Sequence, residues 1–322
     1  MQHRFNAIPI SLRTVFLLTV FFIPYTLQAQ IGAPVAWQNG VVSSADRYAS
    51  EAGLEILRKG GNAVDAAVAV QFALAVTLPR AGNIGGGGFM VVQLRDGTSA
   101  ALDFREKAPL AAHRDMYLNE DRVYESQKSK IGPLAAGVPG TVDGMINALE
   151  RYGTLPLEIV MEPAITLARD GFLLPHSTAE SLNRAKDQLS RFAGSEFTFL
   201  KPDGSDWMPG ELFVQPDLAV TLQRIATLGR RGFYSGITAR LIIEEMQRGG
   251  GLITMRDLRD YKSIWRKPVR ATFRGYELVM MPPPSSGGIV MKQVLKMIDR
   301  SELDESSFNS SGYVHLVSEA LK

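Results

Sequence analysis

Apolar positions recur at helical spacing soon after residue 40. Ser43–Lys59 (SSADRYASEAGLEILRK) carries Ala52, Leu54, Ile56 and Leu57 as an apolar stripe. Ser43 and Ser44 are candidate caps, and Gly60-Gly61 stops the pattern, which predicts a helix. Asn62–Leu78 (NAVDAAVAVQFALAVTL) is apolar nearly all round, with Asp65 its one charge and Pro79 its end. That composition predicts a helix buried between layers. The period then changes. Phe89–Leu94 (FMVVQL) and Ser99–Phe104 (SAALDF) are short strand-like runs joined across Asp96-Gly97, a hairpin signal. Alternation places Ala101 and Asp103 on one face, Leu102 and Phe104 on the other.

Helical period returns at Gly140–Tyr152, Glu158–Asp170, Pro216–Leu228 and Thr238–Arg248. Val269–Met281 predicts a second hairpin around Arg274-Gly275, followed by Pro282-Pro283-Pro284 and a helix over Ile289–Ile298. Asp299–Ser311 is the best linker candidate. Gly312–Lys322 is amphipathic, with Tyr313, Leu316, Val317, Ala320 and Leu321 on one face, and it reaches Lys322 without a stop signal. The expectation is a polypeptide truncated at its C-terminus; a ragged natural end has the same pattern. No internal repeat or heptad run is present.

The first 29 residues stand apart. Arg4 and Arg13 precede or begin an apolar run, Thr14–Ile23, which Pro24 breaks before a small-residue site at Ala29. This is the layout of a cleaved secretory signal peptide, leaving 30–322 as the exported chain, in the periplasm or outside the cell. A retained membrane anchor is the other reading. The run falls short of the roughly 20 residues that span a bilayer.

The chain has 35 Lys+Arg and 33 Asp+Glu, and the signal segment holds two of those cations and no acid. The exported part is therefore formally neutral, which gives no electrostatic case for a nucleic-acid partner. There is no cysteine. Thiol nucleophiles, thiolate metal sites and iron–sulfur clusters are excluded, and the fold is held by its core rather than by disulfides.

Four consecutive glycines, Gly85–Gly88, suggest a phosphate cradle. A Walker loop requires Gly-Lys-Ser/Thr entering a helix, and a dinucleotide fingerprint requires strand, loop, helix. Here the order is reversed and Phe89 opens a strand, so the glycines are read as sites of close backbone approach. His113, His176 and His315 are far apart and lack HExxH spacing, so no metal is expected. Ser285-Ser286 before Gly287-Gly288 is either a nucleophile on a tight turn or, more simply, a rigid turn. In ALDFREKAP (Ala101–Pro109), Arg105 ends a strand beside Glu106. Its guanidinium can present a bidentate fork to a carboxylate, or form a surface ion pair with a nearby acid.

Eight segments occur in one order: GGNAVDAAVAV (Gly60–Val70), AGNIGGGGFM (Ala81–Met90), LDFREKAP (Leu102–Pro109), GVPGTVDG (Gly137–Gly144), YGTLPL (Tyr152–Leu157), ARDGF (Ala168–Phe172), GGLIT (Gly250–Thr254) and MPPPSSGG (Met281–Gly288). Together they closely resemble the large-subunit region of bacterial γ-glutamyltranspeptidases, also called glutathione hydrolases, from about residue 34 onward. The resemblance implies an α/β (α+β) fold, the αββα sandwich of N-terminal nucleophile hydrolases, of which this is the large-subunit part. It implies a precursor that cuts itself into a large and a small subunit forming a heterodimer, without a cofactor. The new N-terminal threonine is the nucleophile, with its own amine as base. Substrates are glutathione and related γ-glutamyl compounds, and the acyl group passes to water or to an amino-acid or peptide acceptor.

By the same resemblance Arg105 matches the arginine that grips the substrate α-carboxylate, and Glu106 helps to position it. MPPPSSGG becomes a structural turn, its serines without a catalytic role. The nucleophile belongs to a Thr-Thr-His context, and none occurs in residues 1–322; Thr141, Thr254 and Thr272 lie outside any such context. No catalytic residue is therefore expected within this chain, and the chain alone is expected to be inactive. Two other readings stay open: a non-catalytic γ-glutamyl-binding remnant, and a related acylase of the same superfamily.

Overall fold

The computed structural model describes residues 37–298 and 308–322. The signal segment expected at 1–29 and most of the linker expected at Asp299–Ser311 lie outside these described residues. Two units divide at Gly40. Of the first, only Trp37–Gly40 are described; the second, Val41–Lys322, carries every element below.

Helix α1 spans Arg47–Arg58, and α2 spans Ala63–Thr77. The cap of α1 is Asp46, not Ser43 or Ser44: its carboxylate accepts from the Ala49 N–H at 3.2 Å. Ser44 instead braces the cap, its hydroxyl donating to the Asp46 carbonyl at 2.7 Å. Helix α2 opens on a capping box between Asn62 and Asp65. Val68, Phe72 and Val76 are fully buried, as the all-round apolar pattern predicts. The reason is position: α2 packs against α1, α3 (Thr141–Tyr152) and α4 (Leu157–Asp170). Each large apolar side chain so buried contributes roughly 1.5–3 kcal/mol.

Strands β1 (Phe89–Gln93) and β2 (Ser99–Asp103) form the expected hairpin, with Phe89 opposite Asp103 and Val91 opposite Ala101. The sequence pattern missed a third strand. Ile264–Arg266 (β5) pairs antiparallel with β2, with Ala101 opposite Arg266 and Asp103 opposite Ile264. This makes β2 the central strand. Ala101, Leu102, Asp103 and Phe104 are all buried, so the expected division into one inner and one outer face does not hold. A strand covered on both faces need not alternate.

Between α4 and β5 lie a two-residue pair, β3 (Phe172–Leu173) with β4 (Leu212–Phe213), and helices α5 (His176–Arg184), α6 (Lys186–Leu189) and α7 (Ala193–Phe199). They are followed by α8 (Pro216–Leu228), α9 (Arg231–Tyr234), α10 (Gly236–Arg248) and α11 (Met255–Asp260). The second hairpin is β6 (Val269–Phe273) with β7 (Tyr276–Met280). Helices α12 (Gly287–Ile298) and α13 (Ser311–Leu321) complete the described elements and pack against each other. Among the described residues, no helix is long and apolar enough to cross a membrane.

Candidate functional site

Arg105 follows the central strand, where the chain leaves the sheet between two glycine-containing loops. On one side Phe104 and Gly88 exchange backbone hydrogen bonds at 3.1 and 3.3 Å; on the other, Lys107 and Val138 do so at 2.8 and 3.2 Å. In each loop one glycine, Gly87 and Gly140, is needed because backbone meets backbone. A Cβ on Gly87 would stand 2.5 Å from the Phe104 carbonyl oxygen and 2.7 Å from the Glu106 nitrogen. One on Gly140 would collide with the Phe104 carbonyl and the Tyr261 hydroxyl. None of Gly85–Gly88 adopts a left-handed φ. Gly86, Gly87 and Gly88 therefore serve close approach, while Gly85 has open space at its Cβ position.

The two loops are also tied to each other. The Gly86 carbonyl accepts from the Gly140 N–H at 2.6 Å and the Thr141 N–H at 3.0 Å, occupying two donors at the start of α3. The Asn83 side-chain oxygen accepts from the Gly86 N–H at 2.8 Å and the Thr141 hydroxyl at 2.9 Å. A protein carbonyl thus satisfies these two donors at the helix N-terminus.

The Arg105 side chain lies over the Phe89 ring, its Cζ 5.5 Å from the centroid. Its Nε donates to Glu106 Oε2 at 3.3 Å. The side chain is 55% exposed. Both terminal guanidinium nitrogens are without a hydrogen-bond partner among the described residues. The structure pairs Arg105 with Glu106 and leaves the outer fork of the guanidinium open to solvent. Its backbone is held on both sides: Asp103 Oδ1 accepts the Arg105 N–H at 3.1 Å, and Tyr261 donates its hydroxyl to the Arg105 carbonyl at 2.8 Å.

Behind this point lies a buried polar network that the sequence pattern did not reveal. Asp103 Oδ2 accepts from Arg266 Nε at 2.9 Å and Nη2 at 2.8 Å. Asp143, near the start of α3, accepts from Arg230 Nε at 2.6 Å and from the Ser263 N–H and hydroxyl, each at 2.7 Å. Arg230 also donates to the Arg259 and Tyr261 carbonyls. The Tyr234 hydroxyl donates to the Pro139 carbonyl at 2.9 Å. Burial pushes the Tyr261 phenol up, and the negative charges of Asp143, Asp103 and Glu106 push it further. Burial likewise raises Tyr234. Both therefore stay protonated donors at neutral pH.

Residues 49–322 match the family model described as Gamma-glutamyltranspeptidase. The chain belongs to the gamma-glutamyltranspeptidase family. It is 44% identical over 301 residues to the glutathione hydrolase proenzyme of Escherichia coli K12, covering 93% of this chain and 52% of that relative. It is 37% identical over 295 residues to the acylase ACY 1 proenzyme of Pseudomonas sp. strain V22, with 90% and 53% covered. The chain spans about half the length of these curated relatives. The crystal structure of Helicobacter pylori gamma-glutamyltranspeptidase superposes with a TM-score of 0.88 at 45% identity, covering 90% of this chain and 83% of that one. The mixed α/β architecture is thus that of the gamma-glutamyltranspeptidases.

Within that family fold, the other sequence candidates separate from the Arg105 site. Ser285 Oγ accepts from the Gly287 N–H at 3.3 Å, and the Ser286 carbonyl accepts from Ile289 and Val290, so both serines build the turn into α12. His176 starts α5 and His315 lies within α13, while His113 sits in the loop after β2. The residues missed were Asp103, Asp143, Arg230, Tyr234, Tyr261, Ser263 and Arg266. Two of them lay within quoted segments, Asp103 in LDFREKAP and Asp143 in GVPGTVDG. The rest meet through pairings distant in sequence.

Proposed function

We propose that this chain is the large-subunit region of an exported γ-glutamyltransferase and glutathione hydrolase. In this reading it supplies the grip on the substrate α-carboxylate. The observation that carries it is the open outer fork of Arg105, mounted on a strand end whose two backbone groups are both held. A carboxylate placed there accepts two parallel, charge-assisted hydrogen bonds. Glu106, bonded to the inner Nε, keeps the fork turned outward.

The bond-breaking step belongs to an N-terminal threonine of the small subunit, outside residues 1–322. Its hydroxyl attacks the γ-glutamyl carbonyl carbon while its α-amine takes the proton. The tetrahedral oxyanion collapses, the carbon–nitrogen bond breaks, and the departing amine takes that proton back. Water or an acceptor amine then attacks the resulting ester and releases the threonine. The names of the relatives, glutathione hydrolase proenzyme among them, support this reading, as does the share of their length that the chain covers. A second reading, an acylase of the same family, is supported by the 37% identity to acylase ACY 1. The retained Arg105 favours substrates with a free α-carboxylate.

The test compares the 322-residue chain with the product of its gene expressed in full, including any residues that follow Lys322. γ-Glutamyl p-nitroanilide is the substrate. The short chain is expected to release no nitroaniline, and the full product is expected to release it and to contain a smaller polypeptide beginning with threonine. Turnover by the short chain, or a full product without turnover, contradicts the proposal.

A further inference from the structure

Arg105 is held by its backbone more firmly than by its side chain. The guanidinium is half exposed, and among the described residues its polar and ring partners are Glu106 and Phe89. The peptide groups on either side of its Cα are bound by side chains from buried residues. Asp103, 8% exposed, takes the N–H, and Tyr261, 2% exposed, supplies its hydroxyl to the carbonyl. Both partners are themselves fixed. Arg266 of β5 holds the Asp103 carboxylate. The Tyr261 ring stacks on Tyr234, centroids 5.9 Å apart at an interplanar angle of 5°, and the Lys107 ammonium lies 5.0 Å from its centre. Its position is set from α11, whose first turn is closed by the Thr254–Asp257 capping box.

An exposed arginine has many rotamers, and the direction from which they start is the Cα–Cβ bond. That bond is oriented by the two flanking peptide planes. Turning the Arg105–Glu106 peptide breaks the Tyr261 bond, and Gly140 is what leaves room for that hydroxyl beneath the strand end. We propose that Tyr261 is a positioning residue for Arg105, its hydroxyl fixing the Arg105–Glu106 peptide so that the guanidinium meets the substrate carboxylate, with Asp103 fixing the preceding peptide. The inference rests on the reading that Arg105 grips the α-carboxylate. Pre-set direction reduces the rotamer freedom lost on binding.

Tyr261→Phe removes the hydroxyl while keeping the ring, its stack and the lysine above it. It is made in the full product of the gene and assayed with γ-glutamyl p-nitroanilide and with 4-aminobutyryl p-nitroanilide, the same molecule without its α-carboxylate. KM for the first is expected to rise about five- to tenfold, the effect of losing one hydrogen bond. The kcat should stay within about twofold, because the carboxylate is bound alike in ground and transition states. The second substrate should be unaffected, and Tyr261→Phe should add nothing in an Arg105→Gln background.

An unchanged KM, or an equal rise for both substrates, overturns the positioning role; the equal rise is what mere packing predicts. If Arg105→Gln abolishes the preference for the carboxylate-bearing substrate and Tyr261→Phe does not reduce it, only the positioning role fails. If Arg105→Gln leaves that preference intact, the reading of Arg105 fails and this inference falls with it. Should Tyr261→Phe not fold, Asp103→Asn tests the same clamp from the other side. It should raise KM for the carboxylate-bearing substrate alone, and no selective rise counts against the proposal.

Discussion

Gly140 lies so close to the Phe104 carbonyl oxygen that a Cβ cannot fit between them. The contact joins the GVPGTVDG and LDFREKAP segments through backbone, so neither can relax by changing a rotamer. Gly140→Ala and Gly87→Ala are each expected to cost about 2–4 kcal/mol. Gly85 has open space around its Cβ position and no left-handed φ, so Gly85→Ala should stay within about 0.5 kcal/mol. Urea unfolding midpoints of the three variants check the ranking. A Gly85 variant as damaged as the Gly87 variant would overturn the steric account of the glycine run.

Asp65 is fully buried and accepts four donors: the Asn62, Thr154 and Leu155 N–H groups and the Thr154 hydroxyl. It thereby ties the start of α2 to the loop between α3 and α4. Burial pushes its carboxyl up, but the hydrogen bonds from Thr154, Asn62 and Leu155 together outweigh burial and hold it below its ordinary 3.8. A carboxyl lowered by folding contributes stability above its unfolded value and loses it as pH falls through the folded one. Asp65→Ala should cost about 3 kcal/mol at pH 7 by stranding several donors. Asp65→Asn should flatten the loss of stability below about pH 4. Thermal melts from pH 7 to pH 2.5 measure both, and an unchanged acid slope in the Asn variant contradicts the assignment.

Much of this frame was legible in the sequence, for reasons that differ by element. Helix α2 follows from its unbroken apolar run, its cap and Pro79, and α4 and α8 from their periodicity, all of which act within a few residues. The β1–β2 hairpin follows from Asp96-Gly97. Strand β5 was not legible, because three residues, Ile264–Arg266, carry no period. Missing it also concealed that β2 is central, and so why Asp103 beside Arg105 is buried and paired. Arg105 and Glu106 stood out through their motif. Tyr261 did not, since a tyrosine after a short helix acquires meaning only where the chain brings it 156 positions back to the Arg105 carbonyl.

Asp143 and Arg230 form an ion pair in which the carboxylate is 9% exposed and the guanidinium 33%. Arg230→Met leaves Asp143 charged with only Ser263 to hold it, and should cost about 2–4 kcal/mol. Asp143→Ala should cost a similar amount. The two share one network, so the double variant should be less destabilised than the sum of the singles, by about 1 kcal/mol or more. A double-mutant cycle in urea reads the coupling; strict additivity contradicts the network.

Helices α12 and α13 expose Ile289, Val290, Met291, Met297, Val314 and Leu321. Apolar surface of this kind marks a contact with another surface. The 322-residue chain should self-associate with rising concentration, and Val290→Lys with Met297→Lys should reduce that without lowering the melting temperature by more than about 3 °C. Sedimentation velocity across a concentration series decides. A monomer at every concentration removes the need for a covering partner.

The central claim is that Arg105 recognises the α-carboxylate of a γ-glutamyl substrate, and one ratio tests it most directly. For the full gene product, kcat/KM for γ-glutamyl p-nitroanilide is divided by that for 4-aminobutyryl p-nitroanilide, before and after Arg105→Gln. The account predicts that the substitution collapses the ratio by on the order of 100-fold, the loss of charge-assisted hydrogen bonds to one carboxylate, with little change for the substrate lacking it. A ratio that survives Arg105→Gln would contradict the account.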